Sequence, residues 1–308
     1  LPGKSSQLFY AQVDGDPTPD YKHTEPPDMM DYHSALDLWN AHRADRQALL
    51  AGDIRVKTRV PDVNLPPLML TVLSTTSDFF PMFEVPFAHG RGWSAQDDSA
   101  RARVAVISKS LNEKLFGGAD GTGRNLRVEG HTLRIVGVLD EWRPVPHFYD
   151  LATGRYDSGE DVFVPFSTAM DLKLGRNGNM NCYGESPNAD NTHVNANCVW
   201  IQYWVELDDA RQVADYKAYL DNYSRQQRSA GRYQRPPNTQ LRDVMAWLDF
   251  NNVVPGDVHL QLWLALAFLL VCLVNTVGLL LAKFLRRSSE IGVRRALGAS
   301  RSAIFAQY

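Results

Sequence analysis

Residues 262–282 read LWLALAFLLVCLVNTVGLLLA, an uncharged run in which only Asn275 and Thr276 are polar. At roughly 1.5 Å per residue, a helix of this run is about 32 Å long, enough to cross the hydrocarbon layer of a bilayer. Its position near the C-terminal end of the chain excludes a signal peptide. N-terminal to it the pattern changes in kind, and short apolar runs alternate with helix-like stripes. The stretch to Pro27 is polar, carries Pro17, Pro19, Pro26 and Pro27, and reads as an extended lead-in. Leu36, Trp39, Arg43 and Gln47 then fall at near-helical spacing and predict a helix over residues 31–50.

Strands are predicted at Ile54–Val60 and Leu68–Leu73, and a helical turn over Ser77–Phe83 with Ser77 as N-cap. The next segment predicts a strand at Val104–Ile107, a helix at Lys109–Phe116, and strands Asn125–Val128 and Leu133–Val138 joined by Glu129-Gly130. Val162–Pro165 reads as a strand leading into a helix over Phe166–Leu174, and the Asn- and Gly-rich residues 175–197 read as a loop excursion. Val199–Leu207 is an aromatic strand, and a helix over Asp208–Arg228 begins at Asp208 or Asp209. A last helical stripe, Leu241, Val244, Met245 and Leu248, ends at Pro255-Gly256. Strands and helices mixed without regular βαβ spacing predict an α+β domain, built as two mixed α/β subdomains and followed by one transmembrane α-helix. The domain boundaries expected are 1–257, with an inserted subdomain at about 101–198, then 258–285 for the membrane helix and 286–308 for a cytoplasmic segment.

Charge orients the span. From Lys283 onward the chain carries six Lys or Arg and one acid, Glu290, whereas residues 1–282 carry 26 basic and 34 acidic side chains. Asp249 and Asp257 precede the apolar run; Lys283, Arg286 and Arg287 follow it. The positive-inside rule places residues 283–308 in the cytoplasm and the bulk of the chain on the far side of the cytoplasmic membrane. Cys182 and Cys198 fall in that exported part, where an oxidising compartment permits a disulfide; two free thiols are the alternative.

Several chemical signatures fail on inspection. Gly3-Lys4-Ser5 lacks the upstream glycine of a phosphate-binding loop, and Gly117-Gly118 and Gly121-x-Gly123 follow a helix instead of a strand. The eight His residues are scattered, the acidic run Asp157–Asp161 reads as a solvated turn, and no nucleophile elbow is present. The sequence thus supplies no metal ligands and no catalytic residues; a basic tail behind an acidic body suits nucleic acid or a membrane surface, and the apolar run between them decides for the membrane and against nucleic acid.

The segment after the span, RRSSEIGVRRALGASRSAIFAQY, closely resembles the cytoplasmic loop of FtsX-like ABC permeases. Glu290, Ile291, Gly292, Arg294, Arg295, Ala296, Leu297, Gly298, Ala299 and Arg301 carry that resemblance, and Asn275 in its Val-Asn-Thr-Val setting is similar to the family's second transmembrane helix. A second match lies in the exported part. STTSDFFPMFEVPFAHGRGWSAQDD, VAVISKSLNEKLFGG, GRNLRVEGHTLRIVGVLDE and DVFVPFSTA resemble the MacB-type periplasmic core of such permeases, and together the matches cover most of residues 68–308. The Cys182–Cys198 excursion departs from that pattern.

The resemblance implies a permease that does no catalysis of its own. A partner nucleotide-binding subunit would bind and hydrolyse ATP, so the chain itself needs no cofactor. Glu290 to Ala299, without Val293, would couple to that ATPase, and Asn275 would contact a neighbouring transmembrane helix. The resemblance also implies a second permease copy or paralogue, a periplasmic adaptor, and mechanotransmission that extrudes peptides, antibiotics or lipoproteins. The family's full pattern has one helix before this domain and two after the loop, so the expectation is a piece of a longer multi-pass protein. Two other readings compete: a membrane-anchored extracytoplasmic binding module or enzyme, and a cell-division regulator of cell-wall hydrolases.

Overall fold

A 14-residue strand, Arg46–Arg59, runs near the middle of the larger unit's sheet and joins its two halves. The computed structural model describes residues 3–16, 25–59, 68–152, 154–156, 159–175, 180–183, 193–253, 257–286, 288–300, 302 and 304, without the side chains of 53–59, 257–259, 284 and 288–290. The chain divides into two units, Leu1–Val253 and Val254–Tyr308. In the first unit the described strands are β1 (Leu8–Val13), β2 (Arg46–Arg59), β3 (Leu68–Thr75), β4 (Phe87–Gly90), β5 (Val104–Ile107), β6 (Asn125–Val128), β7 (His131–Leu139), β8 (Val162–Pro165), β9 (Asn181–Cys182), β10 (Cys198–Val199), β11 (Gln202–Glu206) and β12 (Thr239–Asp243). Its helices are α1 (Tyr32–Asn40), α2 (Phe79–Met82), α3 (Ala95–Ala100), α4 (Lys109–Phe116), α5 (Phe166–Asp171), α6 (Ala210–Ser229) and α7 (Val244–Phe250).

Among the described residues, one mixed sheet runs β12-β1-β11-β2-β3-β8-β5-β7-β4, and β6 pairs with both β2 and β7. The β3–β8 and β5–β7 pairs are parallel; the other pairs are antiparallel. A register shift between Ala51 and Ile54 lets β2 pair with β11 through its first five residues and with β6 at its far end. Such a bulge bends a strand and raises its twist, which allows one strand to serve both halves.

Both faces of this sheet are buried. On β2, Ala48 and Leu50 enter one core while Leu49 and Ala51 enter another; on β11, Trp204 points to the first and Tyr203 and Val205 to the second. Rings dominate the first core, where Tyr10 stacks on Trp247 at 3.8 Å and 16° and meets Trp204 edge-on at 5.1 Å. A third core lies between α4 and strands β5 to β8, through Leu111, Leu115, Ile107, Leu133, Ile135 and Val162. Full burial of one such side chain contributes about 1.5–3 kcal/mol.

Two-sided burial explains where the sequence reading of helices was wrong. The helix predicted over residues 31–50 stops at Asn40; His42 turns to φ 46°, and Arg46–Leu50 is strand. With apolar side chains needed on both faces, Ala48 to Ala51 forms a continuous apolar run that periodicity cannot tell from a buried helix. The predicted helix over Leu241–Val254 is likewise a strand to Asp243 and then α7, which Asp243 caps by accepting the Ala246 N–H at 2.7 Å. Pro255-Gly256 lies outside the described residues. The lead-in holds β1, an inner strand between β11 and β12. Ser77 does not cap its helix; α2 starts after Asp78, and the Ser77 N–H donates to Asp98 instead. The helix from Phe166 ends at Asp171, and the excursion 175–197 contains β9.

Elsewhere local signals suffice. Ser108 caps α4 and Gly117 ends it at φ 63°. Glu129 and Gly130, at φ 47° and 85°, form the tight hairpin turn between β6 and β7. Asp209, not Asp208, caps α6.

Candidate functional site

The second unit contains α8 (Asp257–Arg286), about 45 Å long at 1.5 Å per residue. Leu260–Lys283 within it is long and apolar enough to cross a membrane. Its apolar side chains are exposed around the whole circumference: Trp263 is 68% exposed, Phe268 72% and Leu279 74%. A helix apolar on every side needs an apolar surround, and in a bilayer its backbone groups are already satisfied internally. Thr276 follows that logic, its Oγ1 donating to the Cys272 carbonyl at 2.8 Å. Lys283 and Arg286 occupy the last turn, where cations complement the helix dipole.

The residues that resemble the coupling loop form α9 (Ser288–Ala296). Its end is a Schellman motif. Gly298, at φ 93°, donates its N–H to the Arg295 carbonyl at 3.1 Å, and the Ala299 N–H donates to the Arg294 carbonyl at 3.1 Å. Side chains added at Gly292 or Gly298 would meet no atom within 4 Å, so both glycines border open space. Val293 and Leu297, four residues apart and thus on one helix face, are 60% and 83% exposed. Ile291, Arg294 and Ala299 are half-buried, whereas Arg295 and Ala296 are exposed. The side chains of Ser289 and Glu290, and all of Arg287 and Arg301, lie outside the described residues. Asn275 is exposed on α8, roughly 16 Å of helix rise before Arg286. The structure thus gathers 291–299 on one short helix and its cap, and keeps Asn275 apart from them on α8.

In the first unit Cys182 and Cys198 are disulfide-bonded, directly opposite each other in the β9–β10 pair. Cys182 is exposed, while Cys198 is buried in the core with Trp200, so the bond fastens the excursion to that core.

Two groups of buried titratable residues had no signature in the sequence. His147 lies 3.3 Å from Glu160, and the Tyr149 hydroxyl donates to the same carboxylate at 2.6 Å. Burial alone lowers the His147 pKa, but the charge and contact of Glu160 and the charge of Asp150 overcome it and raise the value to about 8. Burial raises Glu160, and the imidazolium and the Tyr149 hydroxyl bring it below its ordinary value. The acidic run is therefore not simply a solvated turn: Glu160 is buried, although Asp157 lies outside the described residues. Asp98 accepts the Ser77 N–H at 2.7 Å and the Trp93 indole N–H at 2.8 Å. Its burial outweighs those bonds and raises its pKa to about 6. Nothing in the sequence marks these residues, because their partners lie 5 to 21 residues away at no recurring spacing and their burial comes from the assembled core.

Comparison with known proteins places this geometry in context. The profile of the MacB-like periplasmic core domain matches residues 5–223. The chain is 26% identical over 233 residues to the pyoverdine export ATP-binding/permease protein PvdT of Pseudomonas entomophila, covering 75% of this chain and 31% of that protein. It is 25% identical over 225 residues to the macrolide export ATP-binding/permease protein MacB of Bdellovibrio bacteriovorus, covering 71% of this chain and 29% of that one. The chain thus spans about a third of the length of the curated relatives it matches. In fold it is similar to the periplasmic region of MacB from Actinobacillus actinomycetemcomitans, with a TM-score of 0.51 at 10% identity over 82% of this chain and 95% of that one.

Proposed function

The chain belongs to the family of MacB-like periplasmic core domains, and on that premise we propose that it is part of an ABC-type export permease. Residues 1–257 form the exported core, 258–285 cross the cytoplasmic membrane, and 286–308 begin the cytoplasmic part. ATP binding and hydrolysis belong to a nucleotide-binding domain outside these residues. Movement of that domain reaches the exported core through α9 and α8, as mechanotransmission. Two permease copies or paralogues work as a dimer, together with a periplasmic adaptor. The cargo is a peptide, an antibiotic, a lipoprotein, or a compound of the kinds named for the relatives, pyoverdine or a macrolide.

One observation supports this reading above the others: a periplasmic core domain and a short helix rich in small and basic residues flank one exposed apolar helix. Gly292, Ala296 and Gly298 keep side-chain bulk away from one another protein's approach, and Arg294 and Arg295 supply cations for acidic groups or lipid phosphates. A simple membrane anchor needs the cations but has no use for the glycines. The test is Gly298→Glu in the full transporter, reconstituted with its ATPase in proteoliposomes. Loss of transport-coupled ATPase stimulation, with assembly in the membrane unchanged, is the expected result. Wild-type coupling in this variant overturns the docking role.

A further inference from the structure

A cavity of about 350 Å³ lies between α1 and α5 in the exported unit. Tyr32, Leu36 and Trp39 line one wall, at the 4- and 3-residue spacing that puts side chains on one face of α1. Phe166 and Met170, four residues apart on α5, line the opposite wall, and Val194 of the disulfide-fastened excursion closes one side. Tyr32 and Phe166 are near-parallel, with ring centroids 6.4 Å apart and planes at 21°. Four of these apolar side chains, Tyr32, Leu36, Trp39 and Met170, are only half-buried. An occupant would therefore remove further apolar surface from water, which is the main driving force available to a small ligand.

The rim supplies charge of both signs. Arg101 Nη1 lies 3.3 Å from Asp171 Oδ1, and Arg103 Nη2 lies 3.4 Å from Asp171 Oδ2. Arg101 and Asp171 both line the cavity. Two guanidiniums share one carboxylate, which leaves one positive charge in excess; an incoming carboxylate pairs with the exposed Arg101 guanidinium, and an ammonium takes over its place beside Asp171. Asp98 also lines the cavity, but its carboxylate is engaged by Ser77 and Trp93 and belongs to the wall. Arg101 holds this place at φ 52°, as the left-handed cap of α3. Glycine or asparagine is the usual residue there, so the local backbone gives no reason for an arginine.

We propose that this cavity binds a free zwitterionic α-amino acid with a large apolar side chain, its side chain between α1 and α5 and its ammonium and carboxylate at Asp171 and Arg101. The volume fits. About 350 Å³ is enough room for an amino acid with a ring as large as that of phenylalanine. A hydrocarbon would leave the rim charges unused, and a polar amino acid would leave the rings half-wet. The site is independent of the export reading and requires neither ATP nor a partner chain.

The test is calorimetric titration of the purified 308-residue chain in nanodiscs with L-phenylalanine, 3-phenylpropionate and phenethylamine. L-Phenylalanine is expected to bind saturably at one site, and each analogue, lacking one charge, at least tenfold more weakly. Met170→Trp fills the cavity and should abolish binding with Tm unchanged. Arg101→Gly should weaken binding at least tenfold without lowering Tm, because glycine adopts the left-handed cap without strain. If that variant loses Tm in parallel with affinity, Asp171→Asn, read at constant Tm, decides the role of the rim. No saturable binding by the wild-type chain overturns the proposal, as does undiminished binding in Met170→Trp. Equal affinity for all three probes overturns the zwitterion.

Discussion

His147 Nε2 lies 3.3 Å from Glu160 Oε1, and the two side chains are 3% and 2% exposed. Removing two charges from water costs several kcal/mol each, and the pair survives because each partner offsets the other and Tyr149 donates a further bond. The folded pKa of His147, about 8, lies above the unfolded value of about 6.5. Below about pH 6.5 the imidazole is charged in both states and the stabilisation is complete. As pH rises through about 8 the folded state loses its proton and the stabilisation disappears, on the order of 2 kcal/mol. Urea denaturation of the chain between pH 6 and 9 should show this decline. A flat profile in that window contradicts the pairing. His147→Gln should remove the decline and cost about 3–5 kcal/mol at pH 6.5, because Glu160 is then buried without a cation, with the Tyr149 hydroxyl still donating to it.

Asp98 gives a second pH window. Its folded pKa, about 6, is above the ordinary carboxylate value of 3.8, so folding favours the neutral acid. The associated stability is complete below about pH 4 and lost as pH rises through about 6, on the order of 3 kcal/mol. Asp98→Asn should abolish that dependence. The amide has one acceptor for two donors, so the variant also loses about 1–3 kcal/mol. Trp93 fluorescence supplies a local readout, and its emission should titrate near pH 6 in the wild type and not in Asp98→Asn.

The disulfide closes a 16-residue separation. By loop-closure entropy it stabilises the folded chain by about 3 kcal/mol. Cys182→Ser with Cys198→Ser should lower Tm by several degrees and expose the excursion to limited proteolysis. Equal Tm and cleavage rate in the double variant and the wild type would show that the excursion is held by packing alone. Such a result would shift the credit to Trp200 and Ala196.

Asn275 should matter only in the membrane. In the proposed dimer, a side-chain amide in hydrocarbon gains about 0.6–2 kcal/mol by pairing with a neighbouring helix. Asn275→Leu is expected to weaken self-association in bilayers by roughly threefold or more, read by energy transfer between labelled copies. Soluble properties of the first unit, Leu1–Val253, should not change. Association as strong as in the wild type would mean that the amide is merely tolerated.

The amino-acid sequence by itself determined everything that rests on contiguous residues. The apolar run before Lys283, the caps Ser108 and Gly117, the Glu129-Gly130 turn, and the Glu-Ile-Gly to Gly-Ala segment are all local, and each could be read residue by residue. Signals of this kind also carried the family resemblance. What depends on distant neighbours could not be read. Arg46–Leu50 became strand because β11 pairs with all five residues while Thr76 and Asp78 bond to Gln47 and Leu49 on the other side, and Leu8–Val13 became an inner strand because β11 and β12 accept it. Ser77 does not cap α2, which starts after Asp78 with no side-chain cap, and gives its N–H to Asp98, 21 residues away. The same holds for His147 with Glu160 and for the cavity between α1 and α5. Burial and pairing are properties of the assembled sheet, and an apolar stretch carries no local mark of how many of its faces will be covered.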